Sequence, residues 1–245
     1  MRPEIRIGTS GWNYDHWKGL FYPEDHPKSR WLEYYSGHFD TVELNATFYR
    51  LPAHTTFLNW HRRTPDSFLW SLKASRYLTH VRRLDDPEEP LQRFYEASEG
   101  LQNKRGPILF QLPPSLAYDE GLLKNFLDHL DPACLHTLEV RHPSWLRDDF
   151  FRALEESNIA FCISDTAGRY PYTETVTADF VYIRLHGSKT LYKSSYTEEE
   201  LSLWAEKIRA WNRTTFVYFD NDYGGHAIMN ARRLKELLSL HPHVE

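Results

Sequence analysis

The sequence predicts an α/β chain closed into a single TIM-type (β/α)8 barrel, and three observations carry that prediction. Short apolar runs recur eight times between stretches of helical periodicity, the alternation that a parallel sheet with crossover helices requires. The length, 245 residues, is close to the roughly 250 typical of such a barrel. Each run also ends in charged or strongly hydrogen-bonding residues, often at alternate positions, as in Thr41, Glu43 and Asn45 or Thr137, Glu139 and Arg141. A strand has a side-chain period of two, so one face is apolar and the other carries this chemistry. A doubly wound open sheet is the alternative, but eight units at this length favour closure.

Strands are expected at residues 5–10, 41–47, 69–75, 107–113, 136–142, 159–165, 180–187 and 215–222. Helices are expected at 29–38, 54–63, 90–103, 120–130, 144–157, 197–211 and 226–240. Thr197 followed by Glu200 is a capping box and marks one helix start well. In the last helix Ile228, Ala231, Leu234, Leu237 and Leu238 make one apolar stripe. The stretch AGRYPYTETVTAD after Asp165 is turn-rich, so the sixth crossover is expected to be irregular. No linker rich in Pro, Gly or Ser divides the chain, and residues 1–245 read as one domain.

Composition narrows the function classes. A hydrophobic content of 41% supports a substantial core. A net charge of −5 argues against a broad polyanion-binding surface but permits a local basic patch such as RYLTHVRR at 76–83, whose blander reading is a solvated connection. Cys134 and Cys162 lie far apart without metal-type spacing, and Cys162 is expected to pack as a small hydrophobe. MRPEIRIG enters a strand directly and lacks a signal-peptide apolar region. No apolar run approaches the roughly 20 residues of a membrane span, so a cytoplasmic protein without membrane association is expected.

Helices cover the outside of a barrel, so the outward set should be aliphatic, and Val42, Leu44, Leu138, Val140, Val181, Ile183 and Leu185 fit. The inward set then comprises Arg6, Glu43, Asn45, Lys73, Gln111, Glu139, Arg141, Asp165, Tyr182, Arg184, His186 and Asp220, far more polar than the usual branched aliphatic filling. Buried charges need partners. Chain order suggests Glu43 with Lys73, Arg141 with Asp165, and Arg184 between Asp165 and Asp220. Either the ring is a self-satisfied salt-bridge network, or an incoming anion or polar ligand completes it.

Long motifs carry a resemblance. GTSGWNYDHWKGLFYP, TVELNATFYRLP, SRYLTH, GPILFQLPP, LEVRHPSW, YIRLHG and FDNDYGGHAIMNA, in that order over nearly the whole chain, resemble the YecE-like family, domain of unknown function 72 (DUF72). The resemblance implies a TIM-type barrel. It carries over no activity, cofactor or catalytic residue, so function is argued from the site.

Working residues of such barrels sit at strand C-termini and in the following loops. Glu43 and Glu139 are the expected acid–base pair, because two carboxylates in different environments divide into acid and base. Strand seven ends Arg184, His186, Gly187, Ser188, Lys189, and strand eight ends Asp220, Asn221, Asp222 before Gly224 and Gly225. These loops are a recurrent phosphate site, with Arg184 gripping an oxyanion bidentately and Lys189 adding a mobile charge; alternatively the glycines only turn the chain. The turn Gly8–Gly11 offers weak further evidence for backbone donors. Glu43, Glu139, His142, Asp165, His186 and Asp220 are chemically able to bind zinc or manganese, but Lys73, Arg141 and Arg184 already neutralise the ring and no HExxH pair exists.

Aromatic residues just past strand ends, among them Trp12, Tyr14, Trp17, Phe21, Tyr22, Phe48 and Tyr49, suit sugars or nucleobases. Their blander reading is a first loop packed as a lid, anchored by Trp17 and Phe21. Trp31, Trp60, Trp145, Trp204 and Trp211 read as helix–barrel packing. P-loop, dinucleotide and GxSxG signatures do not occur.

The expectation is therefore a metal-independent acid–base enzyme, its class (hydrolase, lyase or isomerase) open, acting on a phosphorylated sugar or nucleotide-like anion at the barrel mouth. Catalysis falls to Glu43, Glu139 and His186. Binding falls to Lys73, Arg141, Asp165, Arg184, Lys189, Asp220, Asn45, Trp12 and Tyr49. No cofactor is expected. The alternatives are a metal-dependent phosphoesterase or nuclease, and a non-catalytic binding module for nucleic-acid ends or anionic metabolites.

Overall fold

Apolar residues at every second position of each strand demand burial of one face of the sheet, which helices packed around a closed parallel barrel provide. A computed structural model describes residues 3–240. Its strands are β1 (Ile5–Thr9), β2 (Thr41–Leu44), β3 (Leu69–Lys73), β4 (Arg105–Gln111), β5 (His136–Glu139), β6 (Ala160–Asp165), β7 (Phe180–Leu185) and β8 (Thr214–Phe219). All pairs are parallel, in the order β1-β8-β7-β6-β5-β4-β3-β2. The helices are α1 (Trp31–Ser36), α2 (Ala46–Tyr49), α3 (His54–Arg62), α4 (Glu88–Ser98), α5 (Glu120–Asp128), α6 (Asp148–Glu156), α7 (Glu198–Trp211) and α8 (His226–Leu240). No helix among the described residues is long and apolar enough to cross a membrane.

The expected architecture holds, and most differences lie at element ends. Residues 144–157 divide into a 3-10 turn at Pro143–Trp145 and α6, because Leu146 and Arg147 leave helical backbone geometry. The turn of α2, too short for sequence periodicity to mark, was not foreseen. Residues 166–179 contain no helix, as the turn-rich composition implied. Thr197 Oγ1 accepts from the Glu200 N–H at 3.3 Å while Glu200 returns to the Thr197 N–H at 2.8 Å, completing the capping box.

The two faces of the sheet sort cleanly. Val42, Leu44, Leu138, Val140, Val181, Ile183 and Leu185 join the large cluster between barrel and helices. A smaller apolar cluster of Leu109, Ala160, Cys162, Phe180, Tyr182, Phe216 and Tyr218 fills the lumen. One pleat before the strand ends, hydroxyls take over: Thr41 Oγ1 lies 2.7 Å from the Tyr218 hydroxyl, and Ser71 Oγ 2.6 Å from that of Tyr182.

Closure between β1 and β2 rests on little backbone pairing. Ser10 bridges Glu43, and the Gly11 N–H donates to the Glu43 carbonyl at 2.8 Å. Lower in the seam, the hydroxyl of Tyr35 from α1 accepts from the Thr9 N–H at 3.0 Å and donates to the Thr41 carbonyl at 3.1 Å. A side chain thus stands in for a missing ladder rung, with backbone groups that would otherwise be buried unpaired. Gly8 is required beside it, since a Cβ there would collide with the Thr41 carbonyl.

Tyr35→Phe should therefore lower the unfolding free energy by about 1–3 kcal/mol, the cost of buried unsatisfied donors and acceptors. Urea titration followed by circular dichroism measures it, and a loss below ~0.5 kcal/mol would show that the seam does not need the hydroxyl.

Candidate functional site at the C-terminal mouth

The period of two along β7 directs Phe180, Tyr182 and Arg184 into the lumen. Arg184 is 1% exposed, and every one of its five N–H donors is used. Nε donates to Glu43 Oε2 at 2.9 Å and Nη2 to Glu43 Oε1 at 2.8 Å. Nη1 donates to Glu139 Oε2 at 2.8 Å and to His186 Nε2 at 3.1 Å, and the second Nη2 proton points to Asp220 Oδ2 at 3.2 Å. Burial opposes the charge, but Glu43, Glu139 and Asp220 outweigh it and hold the guanidinium well above its ordinary range.

The carboxylates are equally saturated. Glu43 also accepts from Ser10 Oγ at 2.6 Å and from the Tyr182 hydroxyl at 2.7 Å. Glu139 also accepts from Gln111 Nε2 at 2.9 Å and from Arg141 Nε at 2.9 Å. Burial raises the Glu139 pKa, but Arg141 and Arg184 draw it well below the carboxylate range, so it remains an anion. His186 Nε2 accepts from Arg184, which leaves the ring proton on Nδ1. That nitrogen stands 3.0 Å from Asp220 Oδ2, outside good hydrogen-bond angles. Among the described residues no three His, Cys, Asp or Glu side chains gather as a metal-ligand group.

Above this floor stand groups that are not saturated. Lys73, at the end of β3, has no carboxylate within 4.0 Å of Nζ among the described residues; Nζ lies 4.4 Å from the centroid of the Phe48 ring. Burial, with Arg184 nearby, lowers its pKa to about 8. Arg141 spends only Nε on Glu139 and stacks at 4.5 Å over the Tyr170 ring, so its terminal nitrogens have no acceptor among the described residues. His80 packs edge-on against Phe48 at 5.1 Å. The Thr79 hydroxyl donates to the Ser75 carbonyl and accepts from His80 Nδ1 at 2.9 Å, which leaves His80 Nε2 as the basic nitrogen. Burial first, then Lys73 and Arg141, depress the His80 pKa to about 4, keeping it neutral.

Three expected pairings are corrected. Glu43 takes Arg184 and not Lys73; Arg141 takes Glu139 and not Asp165; Arg184 reaches Asp220 but not Asp165. Asp165 sits out of the lumen, because Ser164 is the residue opposite Arg184 in the β6–β7 register, and a step of one residue reverses the face. Its carboxylate instead accepts from the Tyr196 hydroxyl at 2.9 Å. Arg6 lies at the other end of the barrel, bonded to Glu4 and to the Ser67 carbonyl. Arg184 has no donor left to grip an oxyanion, so the phosphate reading of that residue fails on its own hydrogen bonds.

The loops after β7 and β8 also use their donors internally, with the Gly187 N–H on the Tyr196 hydroxyl and the Lys189 N–H on Ser194 Oγ. Gly187, Gly224 and Gly225 have φ of 107°, 67° and 77°, which is their reason for being glycine. Lys189 and Tyr49 are exposed on the rim. Trp12 packs edge-on against Trp60 and Trp70 and, with Asn45, lines a cleft of about 470 Å³ beside the β1–β2 seam. The first loop does pack as a lid edge: buried Trp17 donates from Nε1 to Asp222 Oδ1 at 2.8 Å, and His16 Nε2 stands 2.9 Å from Oδ2.

Sequence reasoning missed His80 as a candidate site residue, and marked Tyr170 and Tyr192 only among the aromatics past strand ends that suit sugars or nucleobases. His80 lay inside RYLTHVRR, and the signal was the backbone: Tyr77–Val81 forms a π-helical turn, a distortion frequent at functional sites. The Tyr192 ring packs edge-on against His186 at 5.4 Å, with Tyr192 itself at φ 64°.

A family model described as protein of unknown function DUF72 matches residues 6–244. The chain belongs to the DUF72 family. It is similar to the UPF0759 protein YecE of Escherichia coli K12, 27% identical over 240 residues covering 87% of this chain and 84% of that protein. The UPF0759 protein YunF of Bacillus subtilis is 25% identical, covering 96% and 95%. Among solved structures, a DUF72 family protein from Thermotoga maritima superposes with a TM-score of 0.88 at 30% identity, covering 96% of this chain and 99% of that one. The barrel is thus shared with the Thermotoga maritima DUF72 protein over nearly the whole of both chains.

Two outcomes test this DUF72 mouth. Arg184→Met strands Glu43 and Glu139 as buried anions and should cost about 3–5 kcal/mol in urea unfolding; a cost under ~1 kcal/mol would mean the network is not structural. Lys73→Met has the opposite sign. The folded pKa of Lys73 lies below its unfolded value of 10.5, so the charge is a cost below about pH 8 that fades as pH rises toward the ordinary lysine range. Scanning calorimetry at pH 7 should show a midpoint raised by a few degrees, about 2–4 °C per kcal/mol at this length, with the difference from wild type narrowing near pH ~10. A lowered midpoint would contradict the assignment of Lys73 as an uncompensated cation.

Proposed function

We propose that this protein is an enzyme for a small anionic substrate of the phosphorylated-sugar type, bound at the C-terminal mouth and worked on by acid–base chemistry. The observation that carries the reading is the pair Lys73 and Arg141: Lys73 has no carboxylate within ion-pair distance among the described residues, and Arg141 keeps its terminal nitrogens without an acceptor after Nε has paired with Glu139, above carboxylates already committed to guanidinium. An anion seated there neutralises both, and each charge-assisted hydrogen bond is worth about 1.5–3 kcal/mol. Tyr170 and Tyr192 supply flat faces for a sugar ring.

The roles differ from those expected for Glu43 and Glu139. Saturated and ionised, these carboxylates fix Arg184 and Arg141 in place and do not exchange protons with a ligand. His186, fully buried, orients Arg184. The groups that reach the ligand are the Lys73 amine and His80 Nε2. Burial first, and then the charges of Lys73 and Arg141, make His80 a weak base, so an incoming anion that cancels those charges raises its proton affinity at the moment of binding. Asp220, partly open to the mouth, is the remaining carboxylate in reach.

Calorimetric titration with ribose 5-phosphate and with inorganic phosphate tests this. Arg141→Ala should raise Kd roughly tenfold or more, equivalent to about 1.4 kcal/mol. Wild-type affinity should fall as pH rises through about 8, where Lys73 loses its proton while Arg184, Arg141 and the carboxylates keep their charge states; Lys73→Arg should abolish that fall. No binding of either anion, or binding indifferent to Arg141→Ala, would refute the proposal.

A further inference from the structure

We infer that Lys73 is a nucleophilic amine that condenses with the carbonyl group of an open-chain sugar-type phosphate to form an imine at the barrel mouth. The inference rests on the anion-binding reading above and names the reactive form of its substrate.

Lys73 is half-buried and unpartnered among the described residues. The three carboxylates of this mouth, Glu43, Glu139 and Asp220, are all taken by Arg184, with Arg141 on Glu139 as well. Lys73 is left with an aromatic face on one side, the Phe48 ring at 4.4 Å, and a fixed guanidinium charge nearby. Desolvation combined with a neighbouring cation is the environment that activates a lysine as a nucleophile. Side-chain parity along β3 sends Lys73 into the lumen with Ser71 and Leu69, so its amine rises from the barrel floor at the strand C-terminus.

The surroundings also fit the steps. The lone pair of neutral Nζ adds to the carbonyl carbon, the C–O π electrons move to oxygen, and that oxygen takes up a proton from the solvent at the open mouth. Nitrogen gives up a proton to His80 Nε2, which packs against the same Phe48 ring as Lys73 and carries no proton of its own. The carbinolamine then expels its hydroxyl, protonated by His80, as water, and the C=N bond forms with one proton left on nitrogen. Amine, carbonyl and one proton become a protonated imine and water, with no change of oxidation state. The anionic group of the same molecule meets Arg141. A pKa of about 8 leaves roughly two hundredfold more free amine at pH 7.5 than an ordinary surface lysine holds.

The test is reductive trapping. Protein is incubated at pH 7.5 with dihydroxyacetone phosphate or glyceraldehyde 3-phosphate, reduced with sodium borohydride, digested, and mapped by mass spectrometry. One adduct per chain is expected, on the peptide holding Lys73, at least tenfold above that on exposed Lys18, Lys28 or Lys189, and suppressed by excess inorganic phosphate. Lys73→Arg should lose the adduct; should that variant fail to fold, the wild-type peptide map decides alone. Adducts spread over surface lysines, or none, overturn the imine. Phosphate binding that persists in that event leaves the anion site standing, whereas loss of both adduct and binding removes the two readings together.

Discussion

Burying one guanidinium organises this barrel. Arg184 sits where a branched aliphatic side chain would ordinarily fill the lumen, and a buried cation costs several kcal/mol unless each donor is met. Its five donors reach β2 through Glu43, β5 through Glu139, the end of β8 through Asp220, and His186 two residues on along its own strand. One side chain thereby ties together strands from opposite sides of the ring. The hydroxyls of Tyr182 and Ser10 complete Glu43, and Gln111 completes Glu139, so both carboxylates of the floor are satisfied. The network still leaves His186 Nδ1 and the Ser164 hydroxyl without a good partner among the described residues, a local cost of placing polar groups in the lumen.

The open mouth above this floor is what the proposed function draws on. With Glu43 and Glu139 paired to guanidinium, proton exchange with the proposed ligand falls to the groups above them. Lys73 and the terminal nitrogens of Arg141 lack acceptors among the described residues, His80 is kept neutral by burial and then by their field, and Phe48, Tyr170 and Tyr192 pack beside them. Local stability is given up for an uncompensated lysine, the kind of violation that proteins retain at sites of chemistry. The lid formed by the first loop, pinned through Trp17 to Asp222, limits solvent on the β8 side.

Legibility differed between fold and site for a physical reason. Period-two alternation in strands and period-3.6 stripes in helices are local, and a closed barrel is the economical way to bury eight such strands, so the outward set and the lumen set could be read directly. Asp165 shows the limit of parity: the run IAFCISD has no alternating polar residue to fix its phase, and the register against β7 chose Ser164 instead. Tyr35, deep in α1, carries nothing in its neighbourhood to mark it as the rung between β1 and β2. His80 was hidden for the same reason, since its place depends on a π-helical turn and on where β3 delivers the chain.

By itself the sequence determined the number of strands, their inward chemistry, the parallel barrel and the family, because hydrophobic period and motif order are properties of the chain alone. Only the tertiary structure decided which charge meets which. Chain order suggested neighbours around the ring, but side chains as long as arginine reach across it. Arg184 therefore bonds Glu43 and Glu139 and leaves Lys73 without a partner. Ion pairing inside a barrel is settled by geometry in three dimensions, where desolvation penalises every donor left over.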